Sequence, residues 1–310
     1  MRPLIRLGTR NSPLAMAQAR EARERLCTAH GWDEDAVELV PVVASGDKVL
    51  DRPLAEIGGK ALWTKELDAW LAEGRIDASV HSAKDVETLR PRAFAFGACL
   101  VRADRRDCLV GARSIAAIPQ GAVIGTSAPR RAAQLLSLRP DCRVVTLRGN
   151  VATRLAKLEA GEAQVTFLAA AGLERLGQGE LGAPLDCDEW LPAAGQGVIA
   201  LECRADDEGV RALLAAIDHR ETRRELEAER ALLAHLGGTC HSPVAAWCRM
   251  KDGVLAVDAA LYSPDGSECV RAAITASPGD LGAIADLAGD LLKRATPDIA
   301  AHFGKEPAQR

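Results

Sequence analysis

Aromatic side chains are scarce in this chain, at 3% of its 310 residues, with one tyrosine and four phenylalanines. Its cores must therefore be built from Leu, Val, Ile and Ala. Cys-x-x-Cys pairs are absent too. The nine cysteines, at 27, 99, 108, 142, 187, 203, 240, 248 and 269, form an odd set, which argues against a disulfide framework or a zinc knuckle. No run approaches the roughly eighteen apolar residues of a membrane span. The opening Met1-Arg2-Pro3-Leu4-Ile5-Arg6 has no apolar signal region, so the expectation is a cytoplasmic protein with no membrane partner. A basic surplus is missing as well: the net charge of -4 argues against a general nucleic-acid partner. Neither Gly-x-x-x-x-Gly-Lys-Ser/Thr nor Gly-x-Gly-x-x-Gly stands at a strand end, which disfavours nucleotides. There is no fixed-period repeat, heptad pattern or low-complexity tract.

What remains is an ordinary globular composition, 48% hydrophobic and 26% charged, with length enough for two or three domains. Strand and helix patterns alternate. Leu4–Leu7 reads as a strand, followed by a loop at Gly8–Asn11 and a helix from Ser12-Pro13 towards His30. A strand at Glu38–Ala44 precedes a polar surface loop, Ser45–Lys60, with Gly58-Gly59 inside it. Ala61–Glu73 has helical spacing, and strands follow at Ile76–Val80 and Phe94–Leu100. A second alternating block has strands at 108–110, 123–125, 144–147 and 165–169, with helices starting near Pro129, Asn150 and Gly172. Ala193–Gly197 reads as a hinge into a strand at 198–201, and a helix spans Glu221–Leu236. Three strand runs, at 244–249, 254–261 and 268–275, then predict a small antiparallel sheet, with a last helix from about 280. The plan is three α/β domains.

Three features carry possible chemistry. The strand Ile76–Val80 runs into His81-Ser82-Ala83-Lys84-Asp85-Val86, and ligands bind beyond the carboxyl ends of strands in open α/β sheets. A carboxylate there suits proton transfer or stabilisation of a cation, although a solvated Lys-Asp turn has the same sequence. Between Gly125 and Arg154 lie six arginines (130, 131, 139, 143, 148 and 154) against one acid, Asp141. Ser127 and Asn150 are placed to cap the two helices that carry most of them, so free N–H groups and guanidiniums would face a carboxylate or phosphate ligand. Arg10 with Ser12 offers a similar anion site at the first strand end. Finally, Cys240 lies in the polar loop Gly237–Pro243 beside His241, as a nucleophile, an attachment point or an incidental thiol. Two lobes with arginines in a cleft also describe solute-binding proteins. A Cys240–His241 hydrolase is a third reading, but neighbours in sequence rarely form a working pair.

In this order and spacing, Arg6–Ala15, Gly58-Gly59-Lys60, Val80–Val86, Gly125-Thr126-Ser127 with Arg130-Arg131, Leu147–Val151, Thr153-Arg154-Leu155, Pro192–Gly197 and Gly238-Thr239-Cys240 resemble the hydroxymethylbilane synthase (porphobilinogen deaminase) family. The resemblance covers nearly the whole chain. It implies an α/β fold of two similar doubly wound, periplasmic-binding-protein-like domains with a cleft, plus a small α+β C-terminal domain with an antiparallel sheet. The implied boundaries are 1–101 with 197–217, then 102–196, then 218–310, in a monomer. The implied activity joins four porphobilinogen units stepwise, with loss of ammonia, onto a dipyrromethane cofactor held by a thioether to Cys240, and then releases hydroxymethylbilane by hydrolysis. Asp85 is the implied catalytic carboxylate, facing pyrrole nitrogens and the azafulvenium cation. Lys84, Ser82, Ser127, Arg130, Arg131, Arg148 and Arg154 are implied to hold the cofactor. Arg10, Ser12, Arg148, Arg154, Arg175 and Gln196 are implied to bind substrate, and Lys60 and Trp63 belong to a lid. No metal is implied. A chain of six pyrroles carries twelve carboxylates, which accounts for clustered arginines in an acidic protein. The chain departs from the family pattern at Trp63, Ala128, Pro129, Glu87 and Thr239, where phenylalanine, serine, an aliphatic residue, proline and glycine are usual.

Overall fold

The computed structural model describes residues 3–42, 64–239 and 241–304; the loop expected at Ser45–Lys60, and with it Lys60, Trp63 and Cys240, lies outside these residues. In chain order the strands are β1 (Ile5–Arg10), β2 (Val37–Val42), β3 (Ala78–Ser82), β4 (Phe94–Cys99), β5 (Asp107–Val110), β6 (Val123–Gly125) and β7 (Arg143–Val145). They continue with β8 (Val165–Ala169), β9 (Ala183–Pro184), β10 (Ile199–Arg204), β11 (Val244–Lys251), β12 (Val254–Tyr262) and β13 (Cys269–Ala276). The helices are α1 (Pro13–His30), α2 (Lys65–Ala72), α3 (Pro129–Leu138), α4 (Val151–Glu159), α5 (Ala170–Arg175), α6 (Glu208–Ala215), α7 (Arg220–Leu236), α8 (Leu281–Arg294) and α9 (Pro297–Ala300). Among the described residues no helix is long and apolar enough to cross a membrane.

The chain divides into two compact units. The first holds Met1–Ala103, Glu174–Gly177 and Gly197–Arg223; the second holds Asp104–Leu173, Gln178–Gln196 and Arg224–Arg310. Most of the two domains expected at 102–196 and 218–310 thus falls in one unit. The reason is packing on α3. Tyr262 of β12 donates its hydroxyl to Gln134 Oε1 at 2.9 Å, and Gly266 lies so close that an added Cβ would sit 2.4 Å from the Ala133 carbonyl.

In the first unit the sheet order is β2-β1-β3-β10-β4, with β1 parallel to β2 and β3, and β10 antiparallel to β3 and β4. Alternating inward residues such as Ile5, Leu7, Ala78, Val80, Ile199 and Leu201 build its core against Ala19, Ala22 and Leu26 of α1. The loop expected at Gly8 is instead strand. Backbone pairing with β2 continues to Arg10 opposite Val42, and Gly8 lets Ile76 approach where a Cβ would meet its Cδ1 at 2.4 Å. Ser12 caps α1 as expected: its Oγ accepts from the Ala15 N–H at 3.3 Å, with Pro13 at the first helical position.

In the second unit the sheet order is β7-β6-β8-β5-β9, with β6 parallel to β7 and β8, and β5 antiparallel to β8 and β9. This is the plan of the first sheet again: a doubly wound pair of α/β layers, as expected. Phe167 and Trp190 stack at its centre, with ring centroids 4.8 Å apart. The third sheet, β11-β12-β13, is antiparallel, and one face is sealed by Leu232 and Leu236 of α7 and Ile284, Leu287 and Leu291 of α8. The short β9 and the helix α6 have no counterpart in the sequence reading, and α5 starts at Ala170 rather than near Gly172.

Candidate active site

β3 ends at Ser82, and a single 3-10 turn, Ala83–Asp85, follows. The turn is fixed from behind: the Ala83 N–H donates to the Val198 carbonyl at 3.0 Å and the Val86 N–H closes on Ala83 at 3.3 Å. Val86 is buried, which leaves Asp85 exposed and Lys84 half-buried. Ser82 Oγ meets the side-chain amide of Gln18, a buried residue of α1, at 2.8 Å. Arg10 ends the neighbouring parallel strand, so Arg10, Ser12 and the Asp85 turn share the carboxyl end of the sheet.

His81, just before this turn, is buried and faces inward. Burial, and then the Arg90 guanidinium, push its pKa down to about 4, so it is neutral near pH 7. Its Nε2 is 3.8 Å from Glu202 Oε2, beyond hydrogen-bond distance. His81 is thus part of the buried frame of the sheet, whereas Asp85 on the turn that follows is exposed. Glu87 is absorbed into the frame: Thr64 Oγ1 donates to it at 2.8 Å and Arg90 Nη1 at 2.7 Å.

In the second unit both arginine-bearing helices start beyond the carboxyl ends of β6 and β7. Asn150 caps α4 as expected, accepting from the Thr153 N–H at 2.9 Å. Gly149 before it has φ 121°, and an added Cβ would meet Thr153 Cγ2 at 2.6 Å, so this turn requires glycine. Arg154 donates Nε–H to the Gly149 carbonyl at 2.9 Å, and Arg148 is buried. The other cap differs from expectation. The cap residue of α3 is Ala128, not Ser127, because Pro129 occupies the first helical position and holds the preceding residue extended at φ -95°, ψ 114°. Thr126 Oγ1 accepts the Ala128 N–H instead.

Arg130 and Arg131 do not stand open at the surface. Both are buried and converge on Asp107, the first residue of β5, which has no exposure. Arg130 Nη2 reaches Asp107 Oδ2 at 2.7 Å and Arg131 Nη2 reaches Oδ1 at 2.7 Å. Trp190 Nε1–H adds a bond to Oδ2 at 2.8 Å, and Gln196 Nε2–H one to Oδ1 at 2.9 Å. Burial opposes the charge on Asp107, but the two guanidiniums override it and hold the carboxyl far below its usual range. Gln196, expected to contact substrate, is thus a buried support that also bonds the Arg105 carbonyl at 2.8 Å. Arg175 pairs with Glu21 Oε2 at 3.0 Å and the Gly197 carbonyl at 3.2 Å, at the rim of a depression lined by Ser12, Met16, Arg20 and Leu176.

One carboxylate serves two guanidiniums here, and the remaining partners are neutral carbonyls, Leu191 for Arg130 and Phe167 for Arg131. A unit of positive charge is left over. Moreover, Arg131 Nε is buried with no hydrogen-bond partner among the described residues. An unmet charged donor of this kind costs roughly 1–3 kcal/mol or more, and a carboxylate ligand removes that cost. Asp107 was not among the expected site residues. It heads a short, otherwise apolar strand just after Arg105-Arg106 and lies outside the arginine-rich window. Among the described residues no group of acidic, histidine and cysteine side chains could hold a metal ion.

Two family models match the chain. The one described as porphobilinogen deaminase, dipyromethane cofactor binding domain, spans residues 5–212, and the one for the porphobilinogen deaminase C-terminal domain spans residues 224–292. Porphobilinogen deaminase from Sphingopyxis alaskensis is 56% identical over 305 residues, covering 96% of each chain. The Paracoccus denitrificans protein of the same name is 47% identical over 299 residues, covering 95% of this chain and 96% of its own. Among solved structures, the periplasmic VFT2 domain of Bordetella pertussis BvgS aligns at 16% identity with a TM-score of 0.41, over 74% of this chain and 93% of that one.

Proposed function

The chain belongs to the porphobilinogen deaminase family, and from that premise we propose how its own residues divide the work. The activity is that of a transferase of tetrapyrrole (haem and porphyrin) biosynthesis. Porphobilinogen units are joined stepwise, four in all, onto a dipyrromethane primer, and hydrolysis releases hydroxymethylbilane. In each joining step the aminomethyl C–N bond of porphobilinogen breaks, ammonia leaves, and a C–C bond forms with loss of a ring proton. When bound, the dipyrromethane supplies the nucleophilic pyrrole terminus for the first joining.

Asp85 stabilises the cation left when ammonia departs and takes up a proton from the pyrrole nitrogen. Its exposed place on a turn braced by Val86 and the Val198 carbonyl supports this role. Lys84 and Ser82, on the same strand end, bind cofactor carboxylates. So do Ser127, Arg130, Arg131, Arg148 and Arg154, with Cys240 as the attachment sulfur. Arg10, Ser12, Arg148, Arg154 and Arg175 orient the carboxylates of incoming substrate, and Gln196 acts indirectly, by bonding the Asp107 carboxylate that holds Arg130 and Arg131. The observation that supports the residue assignment is the half-neutralised arginine pair with its buried Arg131 Nε–H, which has no hydrogen-bond partner among the described residues. Acetate and propionate groups are the chemistry that pair lacks. The same reading makes the protein a cytoplasmic monomer that acts on a small molecule.

Intact-mass measurement of the purified chain should show an adduct of two pyrrole units, and Cys240→Ser should lack it. A folded wild-type chain without the adduct would overturn the assignment. Asp85→Ala should fold and retain its adduct yet turn over porphobilinogen at least a hundredfold more slowly, the low end for loss of a general acid or base. Turnover near the wild-type rate removes Asp85 from the mechanism. Light scattering at the monomer mass checks the stoichiometry.

A further inference from the structure

We propose that Asp107 is a positioning residue for cofactor capture: it holds Arg131 so that the free Nε–H of that side chain meets a carboxylate of the dipyrromethane. This rests on the cofactor reading above and extends it to a residue that touches neither cofactor nor substrate.

Asp107 itself has no remaining capacity. Each of its oxygens accepts two hydrogen bonds, from Arg131 and Gln196 on Oδ1 and from Arg130 and Trp190 on Oδ2. A carboxylate with two donors on each oxygen is saturated, so it can serve neither as a base nor as a ligand contact. What it can do is fix its donors. The guanidinium of Arg131 is planar, and two of its nitrogens are tied down, Nη2 to Asp107 and Nη1 to the Phe167 carbonyl at 2.9 Å. Two anchors on one rigid fork set its plane, and hence the direction of the third donor group, Nε–H.

The anchors are themselves held. Trp190 stacks on Phe167 with an interplanar angle of 12°, and the same indole donates to Asp107. One aromatic pair therefore fixes both the carboxylate and the residue whose carbonyl takes Arg131 Nη1. The ordering is complete before any ligand arrives, which lowers the entropic cost of binding. An ion pair with a purely structural role has no need of an unmet donor beside it. Arg131 Nε–H is buried and unmet.

The test uses full-length chain purified without cofactor from cells unable to make porphobilinogen. Porphobilinogen is added, and the appearance of the two-pyrrole adduct is timed by intact mass, with folding checked by circular dichroism. Asp107→Asn and Arg131→Gln should each slow loading on the order of tenfold, the scale of one charge-assisted hydrogen bond. The double variant should be slowed by less than the product of the two single losses, because Asp107 acts on loading through Arg131 as well as through Arg130. Folded Asp107→Asn that loads at the wild-type rate overturns the proposal, and so do single losses that multiply in the double variant. If Asp107→Asn is insoluble, Trp190→Phe replaces it, keeping the ring stack and every charge. Slowed loading that does not multiply with Arg131→Gln then supports the proposal, and the wild-type rate overturns it. A wild-type chain that never gains the adduct instead overturns the cofactor reading.

Discussion

Replacing Arg90 with leucine should cost the first unit about 4 kcal/mol of stability. Arg90 follows the Asp85 turn by five residues, and its side chain is 9% exposed. It grips Glu202 of β10 with two nitrogens, Nε to Oε1 at 2.9 Å and Nη2 to Oε2 at 2.6 Å. The same guanidinium reaches Asp68 of α2 at 2.5 Å and Glu87 at 2.7 Å. The Glu202 side chain is 1% exposed, and its neighbour His81 is neutral near pH 7, so Arg90→Leu strands a buried charge. Breaking a buried pair in this way costs about 3–5 kcal/mol. The Asp68 and Glu87 side chains, 17% and 23% exposed, are screened by solvent, and each contributes only a few tenths of a kcal/mol more. At roughly 3–4 °C per kcal/mol for a unit of this size, Tm should fall by about 12–16 °C. Urea unfolding followed by circular dichroism measures the loss directly. Arg90→Leu combined with Glu202→Leu should recover most of it, since apolar replacement of a whole buried pair is close to neutral. A single-variant loss below about 1 kcal/mol, or a double variant no more stable than Arg90→Leu, refutes the reasoning.

Two further outcomes follow from local geometry. His81 has its pKa lowered in the folded state, chiefly by burial, so the unfolded chain takes up its proton first as pH falls. Its contribution is complete above the unfolded value of about 6.5 and is lost as pH drops towards 4, a change of about 3 kcal/mol. His81→Asn should flatten stability between pH 7 and pH 4, and an unchanged slope in unfolding titrations would exclude His81 as the source. Asn150→Ala removes the cap of α4 and should cost about 1 kcal/mol, read by the same unfolding assay. Stability within error of the wild type would mean that the Asn150–Thr153 bond has no net worth.

What was legible in the sequence was local. Ser12 and Asn150 cap their helices because a cap needs only four consecutive residues, from the capping side chain to the N–H three positions on. The three C-terminal strands follow from short turns. Ser127 misled for an equally local reason: Pro129 moved the cap one residue on, to Ala128. The direction and place of β5 and β10 were not legible. An apolar run such as Ile199–Leu201 carries no sign of whether it will pair parallel or antiparallel, and β10 enters between β3 and β4 from far along the chain. The destination of Arg130 and Arg131 was hidden by the same distance. Their carboxylate lies more than twenty residues upstream across the sheet, where no window of charge counting connects them.

Those two inserted strands explain why arginine clusters in this chain have different uses. Each is the antiparallel fourth strand of its sheet, and each carries a buried acid, Asp107 on β5 and Glu202 on β10. Glu202 pairs with Ser79, near the start of β3, so the arginine it captures braces the frame well back from the strand end. Asp107 pairs with Ala169, the last residue of β8, so the arginines it captures sit at the carboxyl end where such sheets bind ligands. Glu202 meets one guanidinium that is further surrounded by acids, and that cluster has no positive charge to spare. Asp107 meets two and leaves one in excess. The same structural device, a buried carboxylate on an inserted strand, gives a closed brace in one sheet and leaves an unmet guanidinium N–H in the other, and the difference lies in how many guanidiniums each acid meets.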